Sequence, residues 1–219
     1  DLEMLDAPVS GGAVKAANGE MTVMANLTKP TSINAIYKDI KSQGLKVSKD
    51  DLYLWADYIC NIFMFARISK YDRSLVKEQK SLDKYYCIDN GMRGAVLMPQ
   101  SNDNGKNLEN TVFMQLNRMR LPSDKITYYQ GNCECDFVLQ REDNVIQLIQ
   151  VTWDMVDAST REREIKGLLE AAAVTGCENL IIVTKDEENT FNREGKEIKV
   201  IPAWKWVLLF SCHDFAEFK

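Results

Sequence analysis

The apolar residues of this chain change their period along its length, and the change separates helices from strands. Leu52, Trp55, Ala56 and Ile59 recur at helical spacing behind Ser48 and Asp51, which together resemble a capping box. Upstream, Thr31 or Ser32 caps a helix through Ile36, Ile40 and Lys41 that stops at Gly44. The runs 62–68 and 84–89 are strand-like and are joined by a polar, basic connection over 72–83. A third helix places Leu108, Val112, Phe113 and Leu116 on one face. Strands follow over 126–129, 134–140 and 145–152. Ser159 then caps a helix through Ile165, Leu168, Leu169 and Ala172 that closes at Gly176. The continuously apolar run 180–183 reads as a strand buried on both faces, and 199–201 with an apolar end piece over 204–209 completes the chain.

These elements predict an α/β protein in two modules. Two helices and a strand pair with a basic tip, over 25–91, read as a winged helix-turn-helix. Helix, three strands, helix and strand, over 92–219, read as a restriction-endonuclease-like α/β domain. The 219 residues leave room for both, and the 45% apolar and 27% charged content is that of a soluble protein. No apolar run reaches the length of a membrane span and no signal peptide opens the chain, so a cytoplasmic protein without membrane contact is expected. Because the first residue is Asp1, a processed product or a fragment is expected.

Six cysteines are too few for a disulfide scaffold, and zinc would need more than the lone His213 beside Cys133 and Cys135. The same scarcity of histidine argues against a Ser-His-Asp or Cys-His triad. Residues 25–91 carry eleven Lys/Arg against eight Asp/Glu, and 92–219 carry fifteen against twenty. Nucleic-acid contact is therefore expected, if anywhere, at the basic tip, through Lys70, Arg73, Lys77 and Lys80. A protein partner is the main expectation, because the helix at 49–59 carries Asp50, Asp51 and Asp57.

The candidate chemistry lies on two adjacent strands. Asp136 is followed fourteen residues later by Gln150-Val151-Thr152, where a metal-dependent nuclease has Glu-x-Lys. In such a site, carboxylates hold Mg²⁺ or Mn²⁺ and a lysine readies the attacking water. Gln150 brings no charge and Thr152 no ammonium, so the expected site is degenerate. Asp136 has a plainer reading as a strand cap, Glu109 as a surface pair with Lys106, and the run 161–164 as a solvated first helical turn.

Two resemblances extend this reading. Residues 5–12 and 16–24, from Leu5-Asp6-Ala7-Pro8 through Ser10-Gly11-Gly12 to Met24, closely resemble the substrate-binding fingerprint of the β-hydroxyacid dehydrogenases. That resemblance implies a Ser-Gly-Gly turn donating to a substrate carboxylate. With no Gly-rich dinucleotide turn and no lysine-bearing helix downstream, residues 1–24 are expected to be a foreign leader. From about 25 to 209, the chain resembles the C-terminal region of a family of AAA+ ATPases with a winged helix and a PD-(D/E)XK nuclease-like domain. The residues concerned are Lys84 to Gly91, Leu108 to Phe113, Glu134 to Val138 and Ile149 to Thr152. The resemblance implies Glu109 as the helix carboxylate, Asp136 as the metal-bridging aspartate, Gln150 at the second acidic position and Thr152 at the lysine position. It implies a non-catalytic accessory region of an ATPase, acting on a protein partner, its own ATPase module or nucleic acid. The alternative it leaves is a Mg²⁺- or Mn²⁺-dependent DNA nuclease using Glu109, Asp136 and Gln150. A 3-hydroxyacid dehydrogenase fragment, resting on residues 1–24, comes third.

Overall fold

A computed structural model describes residues 32–42, 44, 46–79, 81–92 and 104–212. The leader, Thr31, Lys80 and His213 lie outside the described residues. The chain divides into two compact units, residues 1–67 with 82–101 and residues 68–81 with 102–219.

The first unit is built on two helices, α1 (Ile33–Ser42) and α2 (Lys49–Asn61). Ser32 starts α1, its hydroxyl accepting the Ala35 N–H. Ser48 starts α2 through a full capping box. Its hydroxyl accepts the Asp51 N–H at 3.1 Å and the Asp51 carboxylate accepts the Ser48 N–H at 3.1 Å. Periodic apolar residues then pack the pair: Ile33 and Ile36 meet Leu52, Ala56 and Tyr85, with Tyr37, Ile40 and Trp55 around them. Strands β1 (Phe65–Ile68) and β2 (Lys84–Cys87) pair beside the helices, and Ile68 opens the second unit. The run expected as strand from residue 62 stays in a turn until residue 65, because Phe63 sits in the left-handed region at φ 59°.

The second unit is a six-stranded sheet between helical layers, which makes the protein a mixed α/β fold. After the short α3 (Leu75–Gln79) come α4 (Asn104–Met119), β3 (Asp124–Gln130), β4 (Glu134–Arg141) and β5 (Asn144–Val151). Then follow α5 (Ala158–Thr175), β6 (Leu180–Thr184), β7 (Asn189–Arg193), β8 (Lys196–Pro202) and α6 (Ala203–Cys212). The strand order is β3-β4-β5-β6-β8-β7, with β5, β6 and β8 parallel and the remaining pairs antiparallel. The edge of β3 is partly covered by residues 69–71, where Tyr71 N–H donates to the Tyr128 carbonyl and Tyr128 N–H to the Ser69 carbonyl.

Alternation along the strands decides which helix each side chain meets. Phe137 stacks at 6.1 Å on Phe113 of α4. Its neighbour Val138, with Leu148, Ile182 and Val200, joins the core under Ile165, Leu168 and Ala172 of α5. Helices α4 and α5 therefore cover opposite faces. All five residues of β6 are buried, as a strand covered on both sides must be.

Candidate functional site: a closed carboxylate–amide network

Asp136 on β4 and Gln150 on β5 come together on the α5 face. They are buried, at 6% and 4% exposure, and a third polar residue, Glu164 of α5, is buried beside them at 7%. The Gln150 amide oxygen accepts the Asp136 N–H at 3.1 Å. Its amide nitrogen donates to Glu164 Oε2. The Asp136 Oδ2 in turn accepts the Val151 N–H at 2.9 Å. Glu164 Oε1 accepts from Arg163 Nη2 at 2.5 Å and Nε at 3.2 Å. Glu164 raises the Arg163 guanidinium above its ordinary range, first by that hydrogen bond and then by its charge. A buried carboxylate with this many donors is charge-compensated without any ion.

The reading of 161–164 as a solvated turn is therefore corrected at one position. Arg163 is largely exposed, but Glu164 turns inward. Its sequence signal was present: Glu164 precedes Ile165 and lies four residues before Leu168, on the buried side of the helix.

Thr152 is buried and committed locally, its N–H donating to Val183 and its hydroxyl to the Asp154 carbonyl at 2.9 Å. Glu109, half-buried, rides on α4 in the layer across the sheet from Gln150 and Glu164. Among the described residues no group of three or more His, Cys, Asp or Glu is placed to hold a metal ion. Of the basic tip, Lys70 is half-buried and bridges in parallel to Tyr128. Arg73 donates to the Val174 carbonyl, and Lys77 is exposed on α3. Lys80 lies outside the described residues.

The family described as the NAD binding domain of 6-phosphogluconate dehydrogenase matches residues 1–43. L-threonate dehydrogenase of Escherichia coli K12 is 96% identical over 26 residues, which are 12% of this chain and 9% of that protein. An uncharacterized protein of Methanocaldococcus jannaschii is 29% identical over 187 residues, 82% of this chain and 41% of that one. An uncharacterized protein of Haemophilus influenzae is 24% identical over 185 residues, 84% of this chain and 43% of its own length. The chain thus spans less than half the length of these relatives. No solved structure matches it.

These findings overturn the resemblance to an AAA+ ATPase C-terminal region, and with it the accessory and nuclease roles of the PD-(D/E)XK reading. The matches that carry a named activity are to hydroxyacid dehydrogenases. The Mg²⁺ or Mn²⁺ of the nuclease alternative is corrected likewise: the matching family is described as NAD-binding. The physical reason for the error lies in Asp136 and Gln150, whose spacing imitates a metal site while their polar atoms serve backbone and Glu164.

The described residues do not fit a dinucleotide. A pyrophosphate cradle needs a glycine-rich strand-to-helix turn with free helix N–H groups. The turn from β5 to α5 holds no glycine, and the Asp157 carboxylate already caps that helix, accepting the Thr160 N–H at 2.7 Å. The β8-to-α6 turn passes through Pro202 and Ala203.

Proposed function

We propose that this chain recognises a short hydroxyacid through its N-terminal segment and serves a nicotinamide-linked hydroxyacid dehydrogenase system, with the α/β body as a non-catalytic scaffold. The near identity of that segment to L-threonate dehydrogenase carries the reading. By the resemblance of Ser10-Gly11-Gly12 to the dehydrogenase fingerprint, the ligand group is a carboxylate, met by backbone N–H groups and the Ser10 hydroxyl. The closed Asp136–Gln150–Glu164 network supports the scaffold half, since its polar atoms are satisfied within the fold.

As a fold, the α1–α2 pair beside a two-stranded sheet supports a winged-helix reading of the first unit. A protein surface is the partner that suits it, because α2 opens on Asp50 and Asp51. No described helix is long and apolar enough to cross a membrane. The thiols of Cys60, Cys133 and Cys177 suit a cytoplasmic setting.

Calorimetric titration of the full chain with L-threonate and with NADH tests the reading. Heat with L-threonate that disappears in Ser10→Ala supports it. No heat with either ligand, or equal heat in the variant, ends it.

A further inference from the structure

The three parallel strands β5, β6 and β8 end in step, with Val151 beside Val183 and Val183 beside Ile201. The segments that follow them, 152–157, 184–188 and 203–208, therefore share one end of the large sheet, the end at which open α/β sheets meet their ligands. Direct contacts tie the segments together. The Lys185 N–H donates to the Trp153 carbonyl, and the Met155 N–H to Glu187 Oε1 at 2.7 Å. Glu188 pairs with Lys205, the third residue of α6.

This end exposes apolar side chains inside an acidic border. Val156 is 85% exposed and Trp204 61%, and Leu208, one helical turn beyond Trp204, is exposed as well. The three segments carry five Asp or Glu against two lysines. Both lysines are answered locally. Lys185 Nζ lies 5.7 Å from the centre of the Trp153 ring and 3.2 Å from Asp186, and Lys205 is held by Glu188. The surface thus contains its own example of an ammonium placed between an indole and a carboxylate. Trp204 presents a second indole and Asp154 a second exposed carboxylate.

We propose that this end of the sheet is a docking surface for a partner protein, and that it takes a basic segment in which Lys or Arg alternates with apolar residues. The apolar side chains of that segment cover Val156, Trp204 and Leu208, and its cations meet the Trp204 ring and the surplus carboxylates. An indole that becomes buried at the centre of such a contact carries much of its affinity. A polyphosphate backbone is repelled by the same carboxylates, so nucleic acid is excluded as the occupant. The surface lies wholly in the second unit and does not depend on the hydroxyacid reading of the N-terminal segment.

The test is fluorescence anisotropy of a labelled, alternating Lys-Leu peptide titrated with the full chain, beside an alternating Glu-Leu peptide and oligothymidine. Binding of the Lys-Leu peptide alone is expected, weakened about tenfold by Val156→Ser combined with Trp204→Ala. Val156→Ser by itself, at a site too exposed to disturb folding, is expected to weaken it about threefold and serves if the double variant does not fold. Leu121→Ser removes an exposed leucine at the opposite end of the sheet, where β3 and β5 begin, and is expected to change nothing. No binding of the Lys-Leu peptide, equal binding in wild type and Val156→Ser, or an equal loss in Leu121→Ser overturns the proposal. Binding of the Glu-Leu peptide or of oligothymidine as tightly as the Lys-Leu peptide overturns it too.

Discussion

Gly167 of α5 and the Glu134 carbonyl of β4 approach so closely that no Cβ fits between them. The obstacle is backbone, which cannot swing aside as a side chain can. Gly167→Ala must push α5 off the sheet, and a cost of about 1–3 kcal/mol is expected. Urea unfolding measures it; a variant as stable as the wild type would mean that helix and sheet meet less closely.

Gln150 is the hinge of the buried network, because it accepts from one neighbour and donates to the other. Gln150→Ala leaves the Asp136 N–H and the Glu164 carboxylate each short of a partner, for a loss of at least about 2 kcal/mol. Gln150→Glu keeps an acceptor for Asp136 but sets two carboxylates together. The raised carboxylate pKa in the folded variant makes its deficit largest at neutral pH and smaller as pH falls and one acid protonates. Unfolding curves of both variants against pH check the two signs.

Asp124 predicts the opposite pH response. Burial alone would raise its carboxyl, but the hydrogen bond from Arg141, the Leu121 N–H and the charges of Arg141 and Arg120 hold it below the ordinary value. Its stabilisation is present above the unfolded-state value near about pH 4 and is lost as pH falls through the folded one. Asp124→Asn is expected to flatten the acid limb of the stability profile, read by unfolding between neutral and acid pH.

The closed network also predicts indifference to metal. Adding Mn²⁺ or EDTA should leave the unfolding midpoint of the full chain unchanged, since Asp136 and Glu164 are satisfied by Val151, Gln150 and Arg163. A rise with Mn²⁺ that Asp136→Asn removes would contradict this.

In α2, Ser48→Ala removes one half of the reciprocal cap. It should cost about 1 kcal/mol, with Ser48→Asp restoring most of it. Circular dichroism during thermal unfolding reads both.

Much of the architecture was legible because local chemistry and burial agreed. Ser48 with Asp51, the apolar face of α2, the Gly176 stop at φ 77° and the doubly buried β6 all appear as the pattern implies. Three features were not legible. Strand β7 is mostly exposed and polar, so a strand without an apolar face left no period to read. The cap of α5 is Asp157, and Ser159, expected in that role, donates its hydroxyl to the Asp157 carboxylate instead. Helix α3 interrupts the expected basic connection, a turn too short to show a period. The candidate site was half legible: Asp136 and Gln150 do meet, but what they do depends on Glu164, which lies beyond any strand-to-strand spacing. The AAA+ reading drew on those strand letters together with residues 84–91 and 108–113, and the dehydrogenase family match covers residues 1–43 instead.

The two rims of the large sheet are guarded differently. Along β3, residues 69–71 occupy part of the hydrogen-bonding edge. At the far side, β7 is a five-residue polar strand whose Arg193 is tied to Glu162 at 2.6 Å. Neither rim offers a long greasy template to another copy, so concentrated solutions of this chain should resist fibril growth, and any turbidity on heating should track global unfolding rather than native stacking.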